Sequence, residues 1–384
     1  MTATIAPLAL ARDLIRCASV TPVEGGALAL LEDRLGGLGF VCHRLLFSEE
    51  GTPDVENLYA RYGNGQPNFC FAGHTDVVPI GDEADWSVHP FAGEIKDDRL
   101  YGRGASDMKG AIAAFVSAAQ KFITARGNDF EGSISFLITG DEEGPAINGT
   151  VKVLDWMRTE GQKVDHCLVG EPTNPNELGE MVKIGRRGSM TGRITTHGTQ
   201  GHVAYPQLAD NPVPRLVEML GLLCNLELDQ GNEHFQASNL EVINLDIGNE
   251  ATNVIPGHAS AVFNIRFNTE HSGNSLKATL KALCDQVGGA YDLTYVPGGS
   301  EPFLTVEGDF TRMVTKAIEA ECGRVPELST SGGTSDARFI KNYCPVVEFG
   351  LIGQTMHKVD ENAGTGDIDA LSRIYHRILT DYFG

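Results

Sequence analysis

Short, nearly uninterrupted apolar runs alternate with longer segments whose apolar residues recur at helical spacing. Asn68–Ala72, ending at Gly73, Ser133–Thr139 and Asp165–Val169 are compact runs that predict buried strands. Between the first two, Ile112, Phe115, Val116, Ala119, Phe122 and Ile123 fall on one helical face. Strands alternating with helices predict an α/β sheet. The pattern changes after Lys183. Strands are predicted at Ser189–Thr196, Asn239–Ile247, Ala259–Phe267 and Asp292–Val296, with helices at Asn211–Leu228 and Asn274–Val287. That order is βαββαβ, the ferredoxin-like split unit. Pro297-Gly298-Gly299 reads as a linker, after which Val346–Phe349 predicts a strand of the first kind. A final helix carries Ile368, Leu371, Ile374, Tyr375, Ile378 and Tyr382 on one stripe. The expected fold is an α/β, mixed-sheet catalytic domain in two parts, 1–182 and 298–384. An inserted ferredoxin-like domain at 183–297 interrupts it.

Composition narrows the function classes. The chain has 384 residues, enough for two domains. Its net charge of -21 speaks against a nucleic-acid partner, which calls for clustered Lys and Arg. No run of 18 apolar residues occurs, so no membrane span is expected. The eight cysteines form no CxxC pair and are expected to be reduced and mostly buried. No basic segment precedes the apolar stretch before Cys17. A cytoplasmic location is therefore expected.

The chemistry gathers at strand ends. His74 and Asp76 follow the strand ending at Gly73; Asp107 precedes the helix that carries Ile112. Asp141-Glu142-Glu143 follows Ser133–Thr139, Glu171 follows Asp165–Val169, and His357 lies beyond Val346–Phe349. Open α/β sheets bind ligands at the carboxyl ends of their strands. Singly, a His or Glu near a strand end is a solvated polar group, and an acidic pair such as Glu142-Glu143 is a common helix start. Jointly, His74, Asp107, Glu143, Glu171 and His357 make a donor set of two imidazoles and three carboxylates. That mixture suits zinc, cobalt or manganese better than magnesium. If Asp107 bridges, each of two ions has one His, one terminal Glu and one shared oxygen. Three carboxylates and one hydroxide then balance two dications. Asp76, two residues from His74, is positioned to orient the ring. Zinc is the expected metal, with cobalt the alternative.

Two other motifs are set aside. Gly102-Arg103-Gly104 begins like a dinucleotide fingerprint, but its sixth position is Asp107 rather than Gly. Gly333-Thr334-Ser335-Asp336-Ala337 resembles a nucleophile elbow but follows polar loop residues rather than a strand.

Over essentially its whole length the sequence resembles the M20 metallopeptidase family. Gly73-His74-Thr75-Asp76, Gly102 to Lys109, Asp141-Glu142-Glu143, Gly170-Glu171-Pro172 and Met356-His357-Lys358 are similar to its metal motifs. The resemblance implies that Glu142 is the general base and that Asp107 bridges the metals. It implies His74 and Glu171 on one ion, and Glu143 and His357 on the other. It further implies a cis peptide at Asp107-Met108 and a homodimer formed by the inserted domain. His202 would reach the other protomer's site and help hold the oxyanion; without the resemblance it reads as a solvated loop imidazole.

A closer resemblance lies in Arg186-Arg187-Gly188-Ser189, Gly201 to Pro206, Ser331 to Asp336 and His357 to Glu361. Ala337 departs from the Gly often found there. These motifs are similar to members that hydrolyse the succinyl amide of N-succinyl-LL-2,6-diaminopimelate in lysine and cell-wall precursor synthesis. The implied substrate is a small polyanionic N-acyl amino acid. Arg186, Arg187 and Arg266 would pair with its carboxylates, and Ser189, Asn253, Ser331, Gly332, Gly333 and Thr334 would line its site. A peptidase is one alternative, against which the Arg-rich motifs speak because they suit a small polyanion, and two further alternatives stand beside it. One is another M20 amidohydrolase, such as one acting on N-acetylornithine. The other is a metal-bearing binding protein without catalysis, against which an intact Glu142 speaks.

Overall fold

The computed structural model describes residues 4–127 and 129–384. The chain divides into two compact units. One comprises the chain up to Ile184 with Thr305–Ser329 and Ser335–Gly384; the other comprises Gly185–Leu304 with Thr330–Thr334.

The first unit is built on an eight-stranded sheet. Its order is Val41–Phe47, Val55–Tyr62, Ser133–Thr139, Asn68–His74, His166–Val169, Val346–Glu348, Met181–Lys183 and Glu327–Ser329. The four strands from Ser133–Thr139 to Val346–Glu348 run parallel, whereas Val41–Phe47 and Val55–Tyr62 are antiparallel. The sheet is thus mixed, and its parallel centre points four carboxyl ends at one edge. Every residue of Asn68–His74 and Ser133–Thr139 is buried. Burial on both faces explains why these strands read as continuous apolar runs rather than alternating ones.

The helix Gly110–Arg126 departs from the single-face expectation. It is buried on all sides from Gly110 to Gln120. Phe115 stacks on Phe71 of the sheet, while helices Pro7–Arg16 and Thr365–Phe383 cover its other sides. Ala111, Ala113, Ala114 and Ala118 make those approaches possible, and small residues of this kind leave no apolar stripe to read. The last helix keeps its stripe through Ile368, Leu371, Ile374, Tyr375 and Ile378, which are buried, while Tyr382 at its end is half-buried.

The second unit carries the ferredoxin-like pattern. Its antiparallel sheet has the order Asn239–Asp246, His258–Phe267, Gly188–His197, Tyr291–Tyr295. Helices Pro212–Cys224 and Gly273–Val287 pack on the sheet around Ile194, Leu216, Phe263, Leu276 and Leu280. Each helix starts at a side-chain cap: Asn211 accepts from the Val213 amide, and Ser272 and Ser275 form a capping box. All eight cysteines are free. Four are buried, Cys224 is exposed and the others are half-buried.

Candidate metal centre

The sheet edge in the first unit brings the predicted donors together. His74 ends its strand, Glu171 lies two residues beyond Val169, and Glu142 and Glu143 lie just past Thr139. Asp107 sits in a tight turn before the helix at Gly110, with a cis peptide to Met108, as expected. His74, Asp107 and Glu171 each place a donor atom within 4.8 Å of the others; so do Asp107, Glu143 and His357. Asp107 belongs to both groups. Its Oδ1 is 3.1 Å from His74 Nε2 and its Oδ2 is 3.2 Å from His357 Nε2. His357 Nε2 also lies 2.7 Å from Glu143 Oε1, and His74 Nε2 lies 3.8 Å from Glu171 Oε1. Glu142 forms a further group with His74 and Glu143, so it borders the same cluster.

Asp76 contacts the His74 ring, as expected, but through its backbone. His74 Nδ1 donates to the Asp76 main-chain carbonyl at 2.9 Å, while the Asp76 carboxylate oxygen is 3.7 Å from that nitrogen. A carbonyl only accepts, so Nδ1 carries a proton and the ring turns Nε2 toward Asp107 as the nitrogen that would ligate an ion. The Asp76 carboxylate instead accepts from the Glu142 and Glu143 amides at 3.3 and 3.0 Å. It holds the two glutamates in place through their backbone.

The electrostatics of the cluster call for cations. Burial pulls His74 toward the neutral form, yet the hydrogen bond and charge of Asp107 outweigh it and hold its proton well above the usual range. Hydrogen bonds to Asp107 and Glu143 push His357 up to about 10. Burial favours a neutral Asp107, but both imidazoles draw it well below the carboxylate range. Burial, then the negative field of Glu171, pushes Glu142 up. Protons shared between imidazole and carboxylate thus stand where divalent ions fit. Two imidazole nitrogens and carboxylates around one two-sided bridge make a donor set suited to a pair of such ions.

The remaining expected site residues lie in the second unit. Arg186 is buried and donates to the Gly333 carbonyl at 3.1 Å, beside Gly332, whose φ of 100° suits only glycine. Ser331 and Thr334 belong to the same segment. Arg187 donates to Asn239 Oδ1 at 3.1 Å. Ser189 faces Arg266 across neighbouring strands. His202 is exposed and pairs with Val254, and the Val203 amide donates to the Asn253 carbonyl at 3.1 Å, so His202 and Asn253 share one corner. Neither set-aside motif gains support. Gly102 and Gly104 form a positive-φ turn. Ser335 is buried and donates to Glu348 Oε1 at 2.5 Å, so it is not a presented nucleophile.

Sequence reading assigned no role to Arg103 or Glu361, both buried behind Asp107 and linked at 2.8 Å. They lie 258 positions apart. No local spacing connects them; only buried charge inside two motif segments hints at them.

The model of peptidase family M20/M25/M40 matches residues 70–381. A succinyl-diaminopimelate desuccinylase of Rhodospirillum centenum is 59% identical over 377 residues, covering 98% of this chain and 97% of that protein. One from Parvibaculum lavamentivorans is 58% identical over 381 residues, covering 98% and 95%. Among solved structures, an M20 family metallo-carboxypeptidase from Sulfolobus solfataricus superposes with a TM-score of 0.80 at 18% identity, covering 98% and 99% of the two chains. A dinuclear metal-binding M20 peptidase from Bacillus subtilis superposes with a TM-score of 0.72 at 14% identity, covering 98% and 97%.

Proposed function

The chain belongs to peptidase family M20/M25/M40 and is a metal-dependent amide hydrolase, and from that premise we propose its substrate and the roles of its residues. The substrate is N-succinyl-LL-2,6-diaminopimelate, and the products are succinate and LL-2,6-diaminopimelate. The observation that carries this reading is 59% identity to a succinyl-diaminopimelate desuccinylase over nearly the full length of both chains.

His74, Glu171 and Asp107 would hold one divalent ion, and Asp107, Glu143 and His357 would hold the other. We assign zinc, with cobalt as the alternative. When bound, the pair of ions polarises the amide carbonyl and lowers the pKa of water. Glu142 takes the proton from the attacking water as the C–O bond forms, and returns it to the amine nitrogen as the C–N bond breaks. Asp76 aligns Glu142 and Glu143 through their amides. Arg186, Arg187 and Arg266 pair with substrate carboxylates, and Ser189, Asn253, Ser331 and Thr334 add hydrogen bonds beside Gly332 and Gly333.

The inserted domain, 183–297 by sequence pattern and Gly185–Leu304 in the compact unit, forms the homodimer. Through it His202 serves the other protomer's site as an oxyanion donor, and loss of one such donor costs on the order of 10²–10³ in kcat. Mixing Glu142→Gln chains with His202→Ala chains under subunit exchange should restore activity; verified heterodimers without recovery would remove the trans role. No helix among the described residues is long and apolar enough to cross a membrane. We place the enzyme in the cytoplasm.

The test of substrate is turnover of N-succinyl-LL-diaminopimelate beside N-acetylornithine. A kcat/KM preference of at least about a hundredfold is expected, because the smaller ligand offers fewer carboxylates to the arginines. Equal use of both would reduce the reading to an M20 amidohydrolase of other specificity.

A further inference from the structure

Three of the five donors stand on segments that a single buried ion pair ties together. Strand Asn362–Gly364 pairs with Arg99–Tyr101, so the turn leading to Asp107 and the loop carrying His357 spring from one ladder. The Gly102 amide extends that ladder by donating to the Glu361 carbonyl at 2.9 Å. The Glu361 side chain is fully buried. Its Oε1 accepts from the Ser106 amide, the Ser106 hydroxyl and the Asp107 amide, each at 3.1 Å. Its Oε2 accepts from Arg103 Nη1 at 2.8 Å.

Arg103 carries the connection onward. It donates to the carbonyls of Lys358 at 3.1 Å and His357 at 3.5 Å, in the loop that presents His357. It also donates to the Pro79 carbonyl at 3.2 Å, five residues after His74. Its guanidinium lies 5.2 Å from the Trp86 ring centroid. Only a planar fork reaches several carbonyls and a carboxylate at once. A buried carboxylate and guanidinium are costly to desolvate; here both Glu361 oxygens and both Arg103 Nη atoms are engaged with each other and with the segments that carry candidate metal donors, while Arg103 Nε has no hydrogen-bond partner.

We propose that Arg103 and Glu361 are a positioning pair that locks the Asp107 turn to the His357 loop and so sets how tightly the centre holds the ion between Asp107, Glu143 and His357. The proposal rests on the two-ion reading of the centre. Neither residue touches substrate or ion; both act through the backbone of residues that do.

Glu361→Gln separates the two tasks. The amide oxygen still accepts from Ser106 and Asp107, but its NH₂ now faces Arg103, donor against donor. Arg103→Lys keeps the charge and loses the fork, and it stands in should Glu361→Gln fail to fold. Apoproteins of the wild type, both single variants and the double variant are titrated with Zn²⁺ and with Co²⁺. Binding is followed by calorimetry and by the Co²⁺ visible spectrum, and each apoprotein's melting temperature is recorded. We expect two binding steps in the wild type. One of them should weaken by about 10–100-fold in each single variant, the range for residues that orient ligands. The double variant should be no weaker than the poorer single, because the pair is one device. Wild-type affinity in either single variant overturns the proposal. So does equal weakening of both steps in proportion to the drop in melting temperature, which marks a merely structural role. A wild type that takes up fewer than two ions overturns the reading of the centre itself, a separate and recognisable failure.

Discussion

His74 and His357 present the same ring nitrogen to the same carboxylate, at 3.1 and 3.2 Å from Asp107, yet the protein supports them by opposite means. His74 ends a strand paired on both sides, its side chain is 1% exposed, and the Asp76 carbonyl fixes its ring. His357 sits in a loop at a φ of 62°, a left-handed conformation that side chains other than glycine seldom adopt, and its side chain is 47% exposed. Sheet hydrogen bonds organise one half of the centre before any ion arrives. The other half depends on connections between loops. A metal site of this kind pairs a rigid half with an adjustable one, and the two halves should respond differently to perturbation.

The largest expected effect tests where the rigid half ends. Glu142 shares a donor group with His74 but is assigned to proton transfer. Glu142→Gln should keep both ions and lose about 10²–10⁴-fold in turnover. Loss of an ion from that variant, with both retained in Glu143→Gln, would reverse the roles of the two glutamates.

Graded chelation bears directly on the comparison. The ion beside His357 should leave first, at a chelator strength about 10–100-fold below that needed for the ion beside His74. His357→Ala should erase the first release step and preserve the second, read by metal analysis after dialysis. Simultaneous release of both ions in the wild type would show that the halves are not energetically distinct.

The smallest effect concerns packing beneath each half. A Cβ on Gly170 would lie 2.6 Å from Phe71 Cζ and 2.7 Å from Met108 Cε, in the layer under His74 and Asp107. On Gly353, near the His357 loop, the closest approach is 3.2 Å, to the Pro172 carbonyl oxygen. Gly170→Ala should therefore cost about 1–3 kcal/mol by overpacking. Gly353→Ala should cost less, compared by urea midpoints in the apoproteins. Equal costs would mean that the strand side is no more tightly packed than the loop side.

The four parallel strands of the large sheet and the split βαββαβ unit were legible because burial leaves a continuous apolar run or an alternation in the residues themselves, whereas Val41–Phe47, Val55–Tyr62, Met181–Lys183 and Glu327–Ser329 were not read as strands. Helix Gly110–Arg126 was legible as a helix but not as one buried all round, since its alanines carry no directional signal. The five candidate donors were legible as residue types at strand ends, where chain direction places them on one edge. The turn of Asp76, whose carboxylate holds the Glu142 and Glu143 amides while its carbonyl holds His74, was not. Two residues of separation fit either arrangement, and backbone conformation chooses between them.

By itself the sequence determined the central strands, the split unit and which candidate donor atoms stand at the strand ends, because these follow from local periodicity and from which atoms each side chain carries. The tertiary structure alone decided that Asp107 turns one oxygen to each imidazole, and that Arg103 and Glu361, 258 residues apart, meet behind it. Such pairings arise when a parallel sheet and one short antiparallel ladder bring distant loops to a common edge. Hydrogen bonds between groups so far apart in the chain leave no spacing to read; they exist only once the backbone has closed.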